Sequence, residues 1–254
     1  MTKTKTDSVH ATETSLTVLS GIKALGGRAT LVELADSLEP AKSTIYKHLQ
    51  TLEDNGLVVE RDGEYRIGLR WLEFGGIAQR YDGIYEVAKP EVRRMAVETG
   101  EMANLMIEEQ GYGSYIHTTS GDRAVALDTR LGKRIHLHKT AIGKALLSSF
   151  SDDRVEEIVE ARGLPAETEN TITDRETLFE ELSTIRERGV AYDTEERVDG
   201  TGCVGAPINT GDRREAAISI TAPINRLTSP GRKEQLIDAV KEAANVIEVN
   251  LAHE

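Results

Sequence analysis

Two short runs of strand-forming residues, Leu57-Val58-Val59-Glu60-Arg61 and Glu64-Tyr65-Arg66-Ile67-Gly68, are separated only by Asp62-Gly63. Such a connection favours positive φ at both turn residues, so the runs are predicted to pair as a tight antiparallel hairpin. What precedes the hairpin restricts the fold further. Leu16, Val18, Leu19, Ile22 and Leu25 recur at helical spacing before Gly26-Gly27, which predicts a first helix over 13–26. Thr30 is placed to cap a short second helix ending at Leu38, with Leu31, Leu34 and Ala35 on its apolar face. Glu39-Pro40-Ala41 breaks the chain. A third helix opens at Lys42 or Ser43 and runs to about residue 55, with Ile45, Leu49 and Leu52 facing inward and Gly56 as its stop. Three helices followed by a hairpin make a winged helix-turn-helix, whose third helix offers a polar N-terminal end to a major groove.

On that geometry Ser43, Thr44, Tyr46 and Lys47 are the candidates for reading base edges, and Lys42, Arg61 and Arg66 for holding phosphate. The bland alternatives stay open: a helix-turn-helix occurs in proteins that never meet DNA, and hairpin arginines are also ordinary surface charges. Net charge constrains this reading. The chain carries 31 Lys and Arg against 43 Asp and Glu, a formal −12, which opposes binding to a polyanion. Residues 1–82 hold 10 of the basic and 12 of the acidic side chains, so the acidity lies mostly behind the reader. An acidic surface of this kind also suits a protein working in concentrated salt.

The remainder reads as mixed α and β. Leu69 to Ile77 continues in helical register with Trp71, Leu72 and Phe74, apolar groups that must be buried against the wing or a partner subunit. Helices are predicted at 84–99, 140–149, 154–161 and 173–189, the last with Thr173 as cap and Glu176 as its box partner. Strands are predicted at 102–108, 114–118, 124–128, 203–209 and 216–222, with a turn at Thr210-Gly211-Asp212 and a final helix opening at Pro230. The fold class is α+β, an antiparallel sheet with flanking helices behind the N-terminal reader. No apolar run approaches the length needed to span a bilayer, and residues 1–20 lack a signal-peptide core, so a cytoplasmic protein is expected. Catalysis and metal binding find little support. Cys203 has no adjacent base, His136 and His138 on one strand face lack further ligands, and Gly132, Gly143 and Lys144 miss the phosphate-loop spacing. No enzyme, cofactor or metal is expected.

Several stretches together are familiar. Ala41-Lys42-Ser43-Thr44-Ile45-Tyr46-Lys47-His48-Leu49, Gly132-Lys133-Arg134-Ile135-His136-Leu137-His138-Lys139-Thr140-Ala141-Ile142-Gly143-Lys144, Arg188-Gly189-Val190-Ala191-Tyr192-Asp193, Gly202-Cys203-Val204-Gly205-Ala206-Pro207 and Ala217-Ile218-Ser219-Ile220-Thr221 closely resemble, in order, the IclR family of transcription regulators. The resemblance implies a winged helix-turn-helix over 11–68, a linker helix over 69–82 that packs against a partner subunit, and a GAF-like effector-binding and oligomerisation domain over 83–254. Implied partners are double-stranded promoter or operator DNA, a small-molecule effector such as a carboxylate or sugar-derived metabolite, and further copies of the chain in a dimer or tetramer. The implied output is control of carbon catabolism genes. Carried over by position, the effector pocket would include Ala141, Ile142, Asp193, Cys203, Ser219 and Thr221. Two departures stand out: Lys47 where relatives commonly carry arginine, and His48 where an apolar residue is usual. The competing reading is a GAF-like binding module or enzyme whose N-terminal region serves assembly alone.

Overall fold

The computed structural model describes residues 8–81, 83–211 and 213–253. The chain divides into two compact units, Met1–Ala78 and Gln79–Glu254.

In the first unit, α1 (His10–Ala24), α2 (Leu31–Ser37) and α3 (Lys42–Asp54) precede a hairpin of β2 (Val58–Arg61) and β3 (Glu64–Ile67). The inward positions expected from helical spacing, among them Val18, Ile22, Leu34, Ile45, Leu49 and Leu52, close one core with Val58 and Tyr65 of the hairpin. Thr30 caps α2 reciprocally: its Oγ accepts from Glu33 N at 3.2 Å while the Glu33 carboxylate accepts from Thr30 N at 2.7 Å. Asp62 and Gly63 take φ of 56° and 81°, as the two-residue turn requires. A further strand, β1 (Arg28–Thr30), pairs antiparallel with β3 and was invisible to periodicity because three residues carry no period. Helix α4 (Trp71–Arg80) follows. Trp71 turns back onto the base of the wing, its indole N–H donating to Leu57 O at 2.9 Å, whereas Leu72 and Ile77 stay 69% and 65% exposed.

The second unit is a six-stranded sheet between two helical layers. It comprises α5 (Ile84–Thr99), β4 (Met102–Glu109), β5 (Tyr112–Ser120), β6 (Arg134–Ile135), α6 (Ala141–Ser148), α7 (Asp152–Arg162), α8 (Arg175–Arg188), β7 (Ala191–Thr194), β8 (Thr201–Ile208), β9 (Ala216–Pro223), α9 (Ile224–Leu227) and α10 (Arg232–Ala252). Strand order is β6-β5-β4-β9-β8-β7, and every ladder is antiparallel. Alternation along β9 sorts the layers: Ala216, Ile218, Ile220 and Ala222 pack with α5 and α10, while Ala217, Ser219 and Thr221 point the other way, where α6 lies.

Several sequence expectations change here. Residues 124–128 are irregular rather than a strand, since β6 already occupies the free edge of β5. The cap of α8 is Asp174, whose carboxylate accepts from Thr177 N at 2.8 Å, and not Thr173. The last helix opens after Gly231 rather than at Pro230. His136 and His138 share no strand face, because β6 ends at Ile135 and His138 sits in a tight turn over Leu137–Lys139. Asp212 of the expected turn lies outside the described residues.

Candidate nucleic-acid interface and effector cavity

Because Ile45, Leu49 and Leu52 hold one face of α3 in the core, the opposite face must point outward. Lys42, Ser43, Tyr46 and Lys47 lie exposed on it, with Thr44 half-buried at its border. Tyr46 Oη accepts from Gln50 Nε2 at 3.0 Å, which orients the ring along that face. Arg61 is exposed at the hairpin. Arg66 is less free than expected, since its guanidinium donates to Glu64 at 3.0 Å. Arg28 of β1 stands opposite Arg66 in the ladder with its side chain 67% exposed, a cation near the wing that the sequence pattern had not singled out. The departure at His48 is compensated locally: its Nδ1 is hydrogen-bonded to Ser15 Oγ on α1 at 2.8 Å, which gives the imidazole a partner.

In the second unit, Ile142, Asp193, Cys203, Ser219 and Thr221 come together around one enclosed cavity, although they sit on α6, β7, β8 and β9. Ala141, the sixth pocket residue expected, is fully buried and does not line it; its carbonyl carbon and oxygen and Ile142 N lie where a Cβ on Gly205 would come within about 3 Å, so glycine there lets the start of α6 approach β8. Thr140 Oγ caps α6 through Gly143 N at 3.1 Å and lines the same cavity. The cavity is threaded between side chains, and a water-sized sphere finds only about 10 Å³ of free space in it. The cavity is therefore contracted relative to the several hundred Å³ of a typical ligand site.

Part of its wall is a hydrogen-bonded polar cluster. Asn104 on β4, opposite Ser219 in the ladder, donates to Ser219 Oγ and Thr221 Oγ, each at 3.4 Å, and accepts from Thr118 Oγ at 2.9 Å. Asp193 is 1% exposed and accepts from Glu196 N at 2.8 Å; burial pushes its carboxyl above the usual range, with that N–H and Lys144 opposing. Burial likewise raises Glu196 to about 7 even though Lys144 Nζ lies 2.6 and 2.7 Å from its two oxygens. Cys203 is buried with Sγ 3.2 Å from Thr221 Oγ, and burial drives the thiol well above its ordinary value, the opposite of what a nucleophile needs. His138 is held down to about 4 by burial, so the neutral ring donates Nε2–H to Pro165 O at 3.1 Å. Among the described residues no group of His, Cys, Asp or Glu is arranged to hold a metal ion.

The model of the bacterial transcriptional regulator IclR C-terminal domain matches residues 78–249, and that of the IclR helix-turn-helix domain matches 12–62. The chain belongs to the IclR family. Similarity extends over nearly full length: it is 33% identical to the HTH-type transcriptional regulator BhcR of Paracoccus denitrificans across 96% of this chain and 88% of that protein. The crystal structure of Thermotoga maritima IclR superposes with a TM-score of 0.79 at 30% identity, covering 96% and 99% of the two chains. An IclR homologue from Microbacterium hydrocarbonoxydans, crystallised with 4-hydroxybenzoate, shares the fold with a TM-score of 0.81 at 21% identity, over 96% and 100%.

As an IclR-type transcription regulator and not an enzyme, the protein has no use for a reactive Cys203, consistent with that thiol's burial. Sequence reasoning passed over much of this regulator's cavity wall and its support, including Tyr115, Thr140 and Arg197 in the wall and Asn104 behind it. Asn104 carried a faint signal, a lone amide in the otherwise apolar run over 102–107. Arg197 carried none, because it lies in an irregular segment between β7 and β8.

Proposed function

We propose that the IclR-type regulator reads operator DNA with Ser43, Thr44, Tyr46 and Lys47, anchors on phosphate through Lys42, Arg61 and Arg66, and senses a small effector in the cavity of Ile142, Asp193, Cys203, Ser219 and Thr221, with Ala141 beside Ile142 at the start of α6. The reader is residues 11–68, the linker 69–82 and the sensor 83–254. The observation that carries the sensing role is the convergence of five separately placed residues on one cavity. A homodimer or tetramer is supported by the row of exposed apolar side chains at Leu69, Leu72, Phe74 and Ile77, which in a single chain would stand in water. The genes it controls serve carbon catabolism, and the protein works in the cytoplasm; no helix among the described residues is long and apolar enough to cross a membrane.

An operator titration on the chain's own upstream DNA tests the reader. Lys42→Ala weakens every sequence alike and lowers the slope of log affinity against log salt by about 1. Tyr46→Ala with Lys47→Ala flattens the difference between operator and random duplex, each lost base contact costing about 1–3 kcal/mol. A footprint unchanged by that double variant removes α3 as the reader.

A further inference from the structure

We infer that Arg197 is the group that captures the effector's carboxylate, and that Asp128 is a tethered stand-in for that carboxylate, displaced when a small hydroxy-monocarboxylate enters. The inference rests on the cavity being the effector site. Among the described lining residues Arg197 is the cation, and its side chain is 11% exposed. The guanidinium is engaged through one arm with the Asp128 carboxylate and through the other with Thr129 Oγ at 3.3 Å. A planar fork of this kind accepts any carboxylate of suitable reach.

Asp128 is built to be replaced. Its side chain is 58% exposed and stands in the irregular segment that the sequence led us to expect as a strand. That segment is tied near its ends, by Gly121 N to Glu101 O at 2.9 Å and Gly132 N to Tyr115 O at 2.8 Å, but it joins no ladder over 124–128. Asp128 also contacts Lys133, so on leaving Arg197 its charge keeps a partner. The arginine, by contrast, is nearly enclosed and would be stranded unless another carboxylate took the place. Withdrawal of Asp128 with Leu127 and Thr129, which line the cavity, also opens the contracted space. The opposite wall selects the rest of the ligand. Asp193 accepts a hydroxyl, Ser219 and Thr221 can meet an oxygen, and a second ligand carboxylate would find no cation among the described lining residues at that end. One negative charge at the Arg197 end and a hydroxyl at the other define the class.

The test titrates the intact protein with glycolate, lactate and 4-hydroxybenzoate, and with their amides, by calorimetry and thermal shift. The expected result is saturable binding of at least one acid with its amide at least about 10-fold weaker. Asp128→Asn binds that acid about 10-fold tighter, because the internal competitor is gone, while Arg197→Gln binds it about 100-fold more weakly and Arg197→Lys falls between. Absence of binding by every acid, equal binding of acid and amide, wild-type affinity in Arg197→Gln, or weaker binding in Asp128→Asn each overturns the inference. Ser219→Ala with Thr221→Val separates the two levels. If the amides bind and lose affinity in this variant but not in Arg197→Gln, the cavity stands as the site and only the carboxylate assignment falls; if they are indifferent to both, the cavity falls too.

Discussion

Lys144 is among the most deeply buried large side chains of the protein, at 1% exposure, and its ammonium is met by Glu196 at 2.6 Å and Glu181 at 3.7 Å. Glu181 is in turn held by Arg188 at 2.7 Å. The two partners of the main pair are unequal. Glu196 can discard its charge by taking a proton, since burial has already raised it to about 7, whereas removing the carboxylate leaves the buried ammonium without its nearest partner. Glu196→Gln should therefore cost about 3–5 kcal/mol, and Lys144→Met distinctly less near pH 6. The pH sign follows from proton counts. Between the usual carboxylate value of 4.5 and about 7 the folded state holds a Glu196 proton that the unfolded state has lost, so stability falls as pH rises through that window and levels above it. Without Lys144 the folded value rises further and the fall continues past pH 7. Urea unfolding of Lys144→Met at pH 6 and 8 checks this; equal stability at both would mean Glu196 is ionised throughout.

Helix α4 joins two roles that its sequence could not separate. Trp71 was equally consistent with packing on the wing or on another subunit, and it packs on the wing, while Leu72 and Ile77 are left outside. Trp71→Ala should thus destabilise the first unit by about 1–3 kcal/mol. Leu72→Ser with Ile77→Ser should leave its melting unchanged and lower the mass found by light scattering; an unchanged mass removes α4 as the assembly surface. The same contrast marks how far the sequence was legible. Long amphipathic elements were read almost to the residue, as with α5 at 84–99, because a 3.6-residue period repeated over four turns leaves little choice. β1 and β6, three and two residues long, exist only because a neighbouring strand offers an edge. Five of the cavity's residues were found because each sits in a stretch that resembles the family. Arg197 and Asp128 meet across 69 positions of chain, and no local pattern encodes such a meeting.

Charge acts at the scale of the whole molecule. Of the formal −12, residues 83–254 contribute most, with 21 basic side chains against 31 acidic. Mutual repulsion of this size favours the expanded chain and is screened within a few ångström at molar salt. Raising KCl from 0.1 to 2 M should raise the melting temperature, read by scanning calorimetry; a flat or falling response would show that the carboxylates are already neutralised by their internal cations. The order of strands has a consequence of another kind, in time rather than in energy. Residues 1–78 can close their core as soon as they leave the ribosome, because every contact in it is made within that length. The sheet behind them cannot. Its central strand β4, made early, waits for β9, more than a hundred residues later, to supply the edge on which Asn104 meets Ser219. During that interval the growing polypeptide carries a finished helix-turn-helix unit and an unfinished sheet, so the two halves of the regulator come into being one after the other.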